Sequence, residues 1–166
     1  MRCWWIDWKE VSAKVDKEPT KEDLVFVTES LGRKPEGLFT VAVRDDLGNP
    51  RVIRNSPLLP NGRPMPTLYW LVDPLIRSKV GTLESQGGVK QAEKECDSNS
   101  IKEAHDRYGK ERNLQLPDSY NGPQPSGGVG GTRKGVKCLH AHYAWFLAGG
   151  DDPVGAWVDE ALKETN

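Results

Sequence analysis

Leu24, Val27 and Leu31 recur at helical spacing behind a Thr-x-x-Asp start at Thr20 and Asp23, and Gly32 follows at once. The pattern predicts a helix over about 21–31, capped at Thr20 and closed by the glycine. The period then shortens. Residues 38–43 and 51–54 are short β-type runs flanking Asp45-Asp-Leu-Gly-Asn-Pro50, whose turn chemistry predicts a hairpin. A proline-rich crossing from Pro57 to Pro66 leads into Thr67-Leu-Tyr-Trp-Leu-Val72, the strongest strand candidate. Asp73-Pro74 then sets a cap before a first-turn proline. Leu75, Ile76, Val80 and Leu83 continue an amphipathic helix until Gly87-Gly88. Further helical stretches follow over about 89–96, 100–113, 136–148 and 153–163, with a Pro, Gly, Ser and Asn-rich loop at 117–135. The fold class is α+β: one domain over 20–166, with a small sheet of two or three strands within 38–72 packed by four to five helices.

Composition narrows the setting. Seventeen glycines and 12 prolines in 166 residues leave much of the chain to turns and loops. Lys plus Arg (23) nearly balance Asp plus Glu (24), so no global charge marks nucleic acid or an anionic membrane as a partner. The longest apolar stretch, Leu68 to Val72, is far too short for a membrane span. Three irregularly spaced cysteines, Cys3, Cys96 and Cys138, do not form a disulfide scaffold, and a reducing cytoplasm is the expected compartment. Residues 1–19 form an aromatic and charged appendage without a secretory apolar segment. Its Trp4, Trp5 and Trp8 are expected to dock onto a groove of this chain or of a protein partner.

Chemistry concentrates in Lys137-Cys-Leu-His-Ala-His142. Thiolate and imidazole are the ligands zinc and related metals prefer, and three lie within five residues. Cys138 and His142 share a helical face, whereas His140 is rotated about 200° away. All three converge only if the helix begins after Cys138; the alternative is a buried cysteine flanked by hydrogen-bonded histidines. Upstream, Gly127 to Gly135 feeds a helix beside Arg133, Lys134 and Lys137, and no acid occurs between Asp118 and Asp151. Bare backbone amides at Gly130 and Gly131 with these cations suit an anion such as a phosphate, against the alternative of a plain linker. The segment is not a Walker A loop, since no Ser or Thr follows Lys134. His105, Tyr108 and Arg112 line one helical stripe that could hold an anion or move a proton, or could be an ordinary solvated face. Asp106, Lys110 and Glu111 beside it read as surface residues. Asp45, Asp46 and Asp73 are explained by turn and cap positions alone.

The motifs Leu31-Gly-Arg-Lys-Pro-Glu-Gly37, Pro57 to Leu71, Leu83-Glu84, Ala104-His-Asp-Arg-Tyr108 with Arg112, Gly127-Gly128, Lys137-Cys-Leu-His140 and Asp152-Pro-Val-Gly155 occur in that order. In them the chain resembles an uncharacterised bacterial family, domain of unknown function 501. The resemblance implies no reaction. It does imply a cysteine where Asp45 stands and a cysteine or histidine where Asp73 stands. Cys, His and Asp share metal ligation, and neither Cys nor His is a good cap. The resemblance therefore implies a candidate ligand set of Asp45, Asp73, Cys138 and His140, with His142 as substitute. Loss of two soft ligands could equally mean that this member has lost its metal.

These readings converge on a divalent-metal-binding domain, with Zn as the expected ion and Fe or Mn as alternatives, beside a pocket for a phosphate-like small molecule. If it is an enzyme, metal-assisted hydrolysis is the expected class, with His105 and Arg112 as catalytic candidates. The rival is a non-enzymatic adaptor or interaction module linked to cell division. A third reading makes Cys138 a nucleophile activated by His142.

Overall fold

The computed structural model describes residues 17–165, so Cys3 and the three N-terminal tryptophans lie outside the described residues. Helix α1 (Lys21–Leu31) starts where the sequence places it. The Thr20 hydroxyl accepts from the Asp23 amide, the Asp23 carboxylate accepts from the Thr20 amide, and Gly32 ends the helix at φ 70°. Asp23 has a second role. Both its oxygens accept from the Arg44 guanidinium at 2.7 Å, a two-pronged ion pair that ties α1 to the sheet.

Three antiparallel strands, β1 (Phe39–Arg44), β2 (Pro50–Asn55) and β3 (Tyr69–Leu71), lie in the order β1-β2-β3. Alternation along them sends side chains to two cores. Phe39, Val41 and Ile53, with Val72 just past β3, meet Val27 of α1 on one face, whereas Val52, Tyr69 and Leu71, with Leu68 just before β3, join the core with the remaining helices. The sheet is thus covered on both sides.

The second face is packed by α2 (Pro74–Ser85), α3 (Gly88–Glu95), α4 (Ser98–Asn113), α5 (Leu139–Leu147) and α6 (Pro153–Glu164). With α1 this makes six α-helices among the described residues, one at each helical stretch the pattern marks, so more helices pack the sheet than the four to five expected. Gly87 in the left-handed region breaks α2 from α3, and Asp97, which caps α4, separates α3 from α4. Helix α5 starts three residues later than the apolar pattern suggests, because Gly135 (φ 63°) and the extended Cys138 (φ −148°, ψ 116°) keep the chain out of helix until Leu139. No helix among the described residues is long and apolar enough to cross a membrane.

Helix α4 organises the interior. Its stripe of His105, Tyr108 and Arg112 faces inward and is buried. The Tyr108 hydroxyl accepts from the Leu68 amide at 2.6 Å, and its ring meets Trp145 of α5 edge-on at 5.2 Å. Glu111, expected to be an ordinary surface residue, accepts from the Tyr69 hydroxyl at 2.6 Å and from the Trp145 indole at 2.9 Å, so it joins β3 to α5. Tyr108→Phe would keep the packing but strand the buried Leu68 amide, and should lower unfolding stability by about 1–3 kcal/mol. A urea midpoint unchanged from wild type would show that this bond contributes nothing.

Candidate functional site

Three ligand-type side chains converge where α2, α5 and β3 meet. Cys138 is the N-cap residue of α5, His140 lies in its first turn, and Glu84 comes from the last turn of α2. One ligand atom from each lies within 4.8 Å of the others. The helix does begin after Cys138, the condition under which thiol and His140 can approach. Glu84 Oε1 accepts from the Leu139 amide at 2.7 Å and stands 3.2 Å from His140 Nδ1. His140 Nε2 lies 3.1 Å from the Arg77 carbonyl oxygen. A carbonyl only accepts, so Nε2 carries the proton, and in the neutral ring Nδ1 turns a lone pair toward the carboxylate. Two acceptors facing each other require a cation or a proton between them. With a proton, the Cys138 sulfur, the Arg77 carbonyl and the Glu84 carboxylate outweigh burial and push the His140 imidazole up to about 9.

Cys138 and His140, but not Glu84, line a cavity of about 370 Å³ also walled by Leu31, Tyr69, Trp70, Leu71, Arg77 and Gly130. Gly130 adopts φ 67°, and a Cβ there would stand 3.6 Å from that of Cys138. A bare position leaves room beside the thiol.

The other residues singled out from sequence lie elsewhere. Asp45 folds its carboxylate back on its own turn, accepting from the Leu47 and Asn49 amides at 2.9 and 2.8 Å. Slight burial opposes ionisation, but these amides and the Asn49 side chain hold the carboxyl below its ordinary range. Asp73 caps α2 through the Leu75 and Ile76 amides and pairs with Arg51 at 3.2 Å. Neither joins the group around Cys138. His142 is fully buried away from that group, with Nδ1 2.7 Å from Asp152 Oδ2 and Nε2 without a hydrogen-bond partner, so only one of its nitrogens matches the hydrogen-bonded histidine of the alternative reading. Glu84 was missed because a glutamate at a helix end has no local signal; it does fall within the motifs that carried the family resemblance.

His105 and Arg112 hold the 117–135 loop in place. His105 Nδ1 accepts from the Val129 amide at 3.0 Å and Nε2 bonds the Gly135 carbonyl at 2.8 Å, leaving no free nitrogen to shuttle a proton. A Cβ on Gly128 would collide with His105, so the loop approaches α4 backbone-first. Arg112 donates to the carbonyls of Pro66 and Gly127 at 3.0 Å and of Pro125 at 2.9 Å. Arg133 and Lys134 line a separate cavity together with His105 and Arg112, whereas Gly130 faces the Cys138 cavity and Gly131 and Lys137 are exposed. The residues singled out for metal and for anion thus line two cavities.

Burial depresses the His105 imidazole below its ordinary 6.5, with a lesser contribution from the neighbouring His142 ring, against opposing effects of the Gly135 carbonyl, Asp152 and Asp106. The unfolded chain then binds this proton first as pH falls, so the contribution of His105 to native stability declines below about pH 6.5. Over pH 7.5 to 5.5 the raised His140 acts in the opposite sense, so the test is a difference: the urea midpoint should fall further, or rise less, in wild type than in His105→Asn. Equal slopes would remove His105 as the source.

No curated protein and no solved structure matches the chain. A family model does: the one described as Protein of unknown function (DUF501) aligns with residues 41–160, a span holding all three strands but for the start of β1, and all of Glu84, Cys138 and His140. The chain belongs to that family.

Proposed function

We propose that the chain is a divalent-metal-binding protein in which Glu84, Cys138 and His140 hold one zinc-type ion, with a fourth position open to the adjoining cavity, and that the site hydrolyses an anionic small molecule. The observation that carries this reading is the convergence of carboxylate, thiol and imidazole within 4.8 Å across 55 residues of chain between Glu84 and Leu139. Zinc bonds of about 2.0–2.3 Å set tetrahedral ligands about 3.5 Å apart, so small side-chain rotations suffice. The bond from Nε2 to the Arg77 carbonyl is the outer support a metal-bound imidazole ordinarily has. The thiolate favours Zn over Mn.

Three protein ligands with an open position are the catalytic pattern, and a fourth would have made the site structural. Bound zinc lowers the pKa of its water toward about 7. Arg77 supplies positive charge for the substrate, and Tyr69, Trp70 and Leu71 form the apolar part of the wall. A second reading rests on Cys138 itself: a thiol at a helix N-terminus beside His140 is placed as a nucleophile, with His140 in the role that sequence gave to His142.

Protein purified without added metal should carry close to one zinc per chain by elemental analysis. Glu84→Ala and Cys138→Ala should each lose most of it, whereas Asp45→Ala should retain it. Protein that is metal-free, takes up no added zinc and is indifferent to chelation would defeat the metal reading. Rapid iodoacetamide labelling of Cys138 in that case would favour the nucleophile, and inert Cys138 the adaptor.

A further inference from the structure

A cavity of about 830 Å³ opens between α4 and the loop ending at Gly135, apart from the one at Cys138. Its walls carry Lys102, Lys110, Arg112, Arg133 and Lys134 against one acid, Asp106. None of these five cations has a carboxylate partner among the described residues. Surface lysines alone would be solvated and make no site. Arg112 differs, because it is only 1% exposed.

Its partners are the carbonyls of Pro66, Pro125 and Gly127 and the Asn113 side-chain oxygen, all neutral. They satisfy its donors without cancelling its charge, and a buried cation lacking a counter-charge is unfavourable. A guanidinium has five N–H donors, and these four bonds leave one, on Nη2. A Cβ at Gly109 would stand 3.7 Å from that nitrogen, and Gly109 lines the cavity. Glycine inside a 16-residue helix weakens it. Here the missing side chain is the gap through which the cavity approaches the buried charge.

We infer that this cavity binds a compact anion with at least two phosphoryl groups, its charge balancing Arg112 across the gap at Gly109 while Lys102, Lys110, Arg133 and Lys134 hold its outer oxygens. Five positive groups against one negative match a pyrophosphate-type charge better than a single phosphate. Apart from His105, whose nitrogens are engaged by backbone, no aromatic side chain lines the walls. Recognition is therefore by charge, with no platform for a stacked base. The site is independent of the proposed metal, and chelation separates the two.

Calorimetry at constant ionic strength, in EDTA, would use pyrophosphate, ADP, inorganic phosphate and sulfate. Pyrophosphate should bind one per chain at least about tenfold tighter than sulfate, with ADP no tighter than pyrophosphate. The exposed Lys102→Ala/Lys134→Ala double variant should keep the wild-type melting temperature and lose about tenfold or more in affinity. Gly109→Ala should melt no lower than wild type yet bind more weakly, since its methyl narrows the approach to Nη2. Equal affinity for pyrophosphate and sulfate, or indifference to the double variant, would overturn the inference. So would binding that vanishes in EDTA and returns with zinc, which would move the phosphate to the Cys138 cavity.

Discussion

The guanidinium of Arg112 is the constraint on which the rest of the structure leans. It sits in the interior without an opposing carboxylate and is solvated by the backbone of two distant segments, Pro66 before β3 and Pro125 and Gly127 in the long loop. An isolated charge in this position is tolerable only while all these carbonyls point at it. The loop's path is thereby dictated by the cation. Segment 117–135 has almost no apolar residues with which to fold, yet it follows a defined course because α4 supplies the partners its backbone lacks. Burial lowers the Arg112 pKa relative to a free guanidinium, but arginine's ordinary value is so high that the group stays charged.

The two cavities follow from that path. From Gly127 onward the loop runs along α4, with Gly128 against His105 and the Val129 amide on its Nδ1, then through Gly130 toward the start of α5. Gly127 and Gly128 wall the cationic cavity, whereas Gly130 walls the one containing Cys138. A few residues of backbone separate them, and both ends are fixed: by Arg112 and His105 on one side, by the Leu139 amide on Glu84 on the other. Any displacement of this segment shifts the walls of both cavities together.

Local signals were legible in the sequence wherever the physics is local. The Thr20 capping box, the Asp73-Pro74 and Asp152-Pro153 helix starts and the hairpin around Asp45 stand where residue type and period put them, whereas of the strand expected over 67–72 only Tyr69–Leu71 pairs with β2. The inward stripe of α4 was visible as i, i+3, i+7 spacing, but its partners were not, since a buried arginine bound to carbonyls looks in sequence like an arginine on a solvated face. Glu111 was misread for the same reason: its partners, Tyr69 and Trp145, are 42 and 34 residues away. At the candidate metal site, Cys138 and His140 were readable because they are neighbours, and Glu84 was not because only the packing of α2 against α5 brings it near.

Asp73 and Glu84 show why residue type alone could not sort the ligands. Each carboxylate lies on α2 or at its border, but at opposite ends. Asp73 meets the N-terminus, where unsatisfied amides and the positive end of the helix dipole claim it. Glu84 is in the last turn, where α2 presents carbonyls and no free amides, so its oxygen accepts instead from the start of α5. A carboxylate there is repelled by its own helix and held by the next one, which directs it toward the first turn containing His140. The helix polarity that makes Asp73 a cap is the same polarity that leaves Glu84 free to face the imidazole.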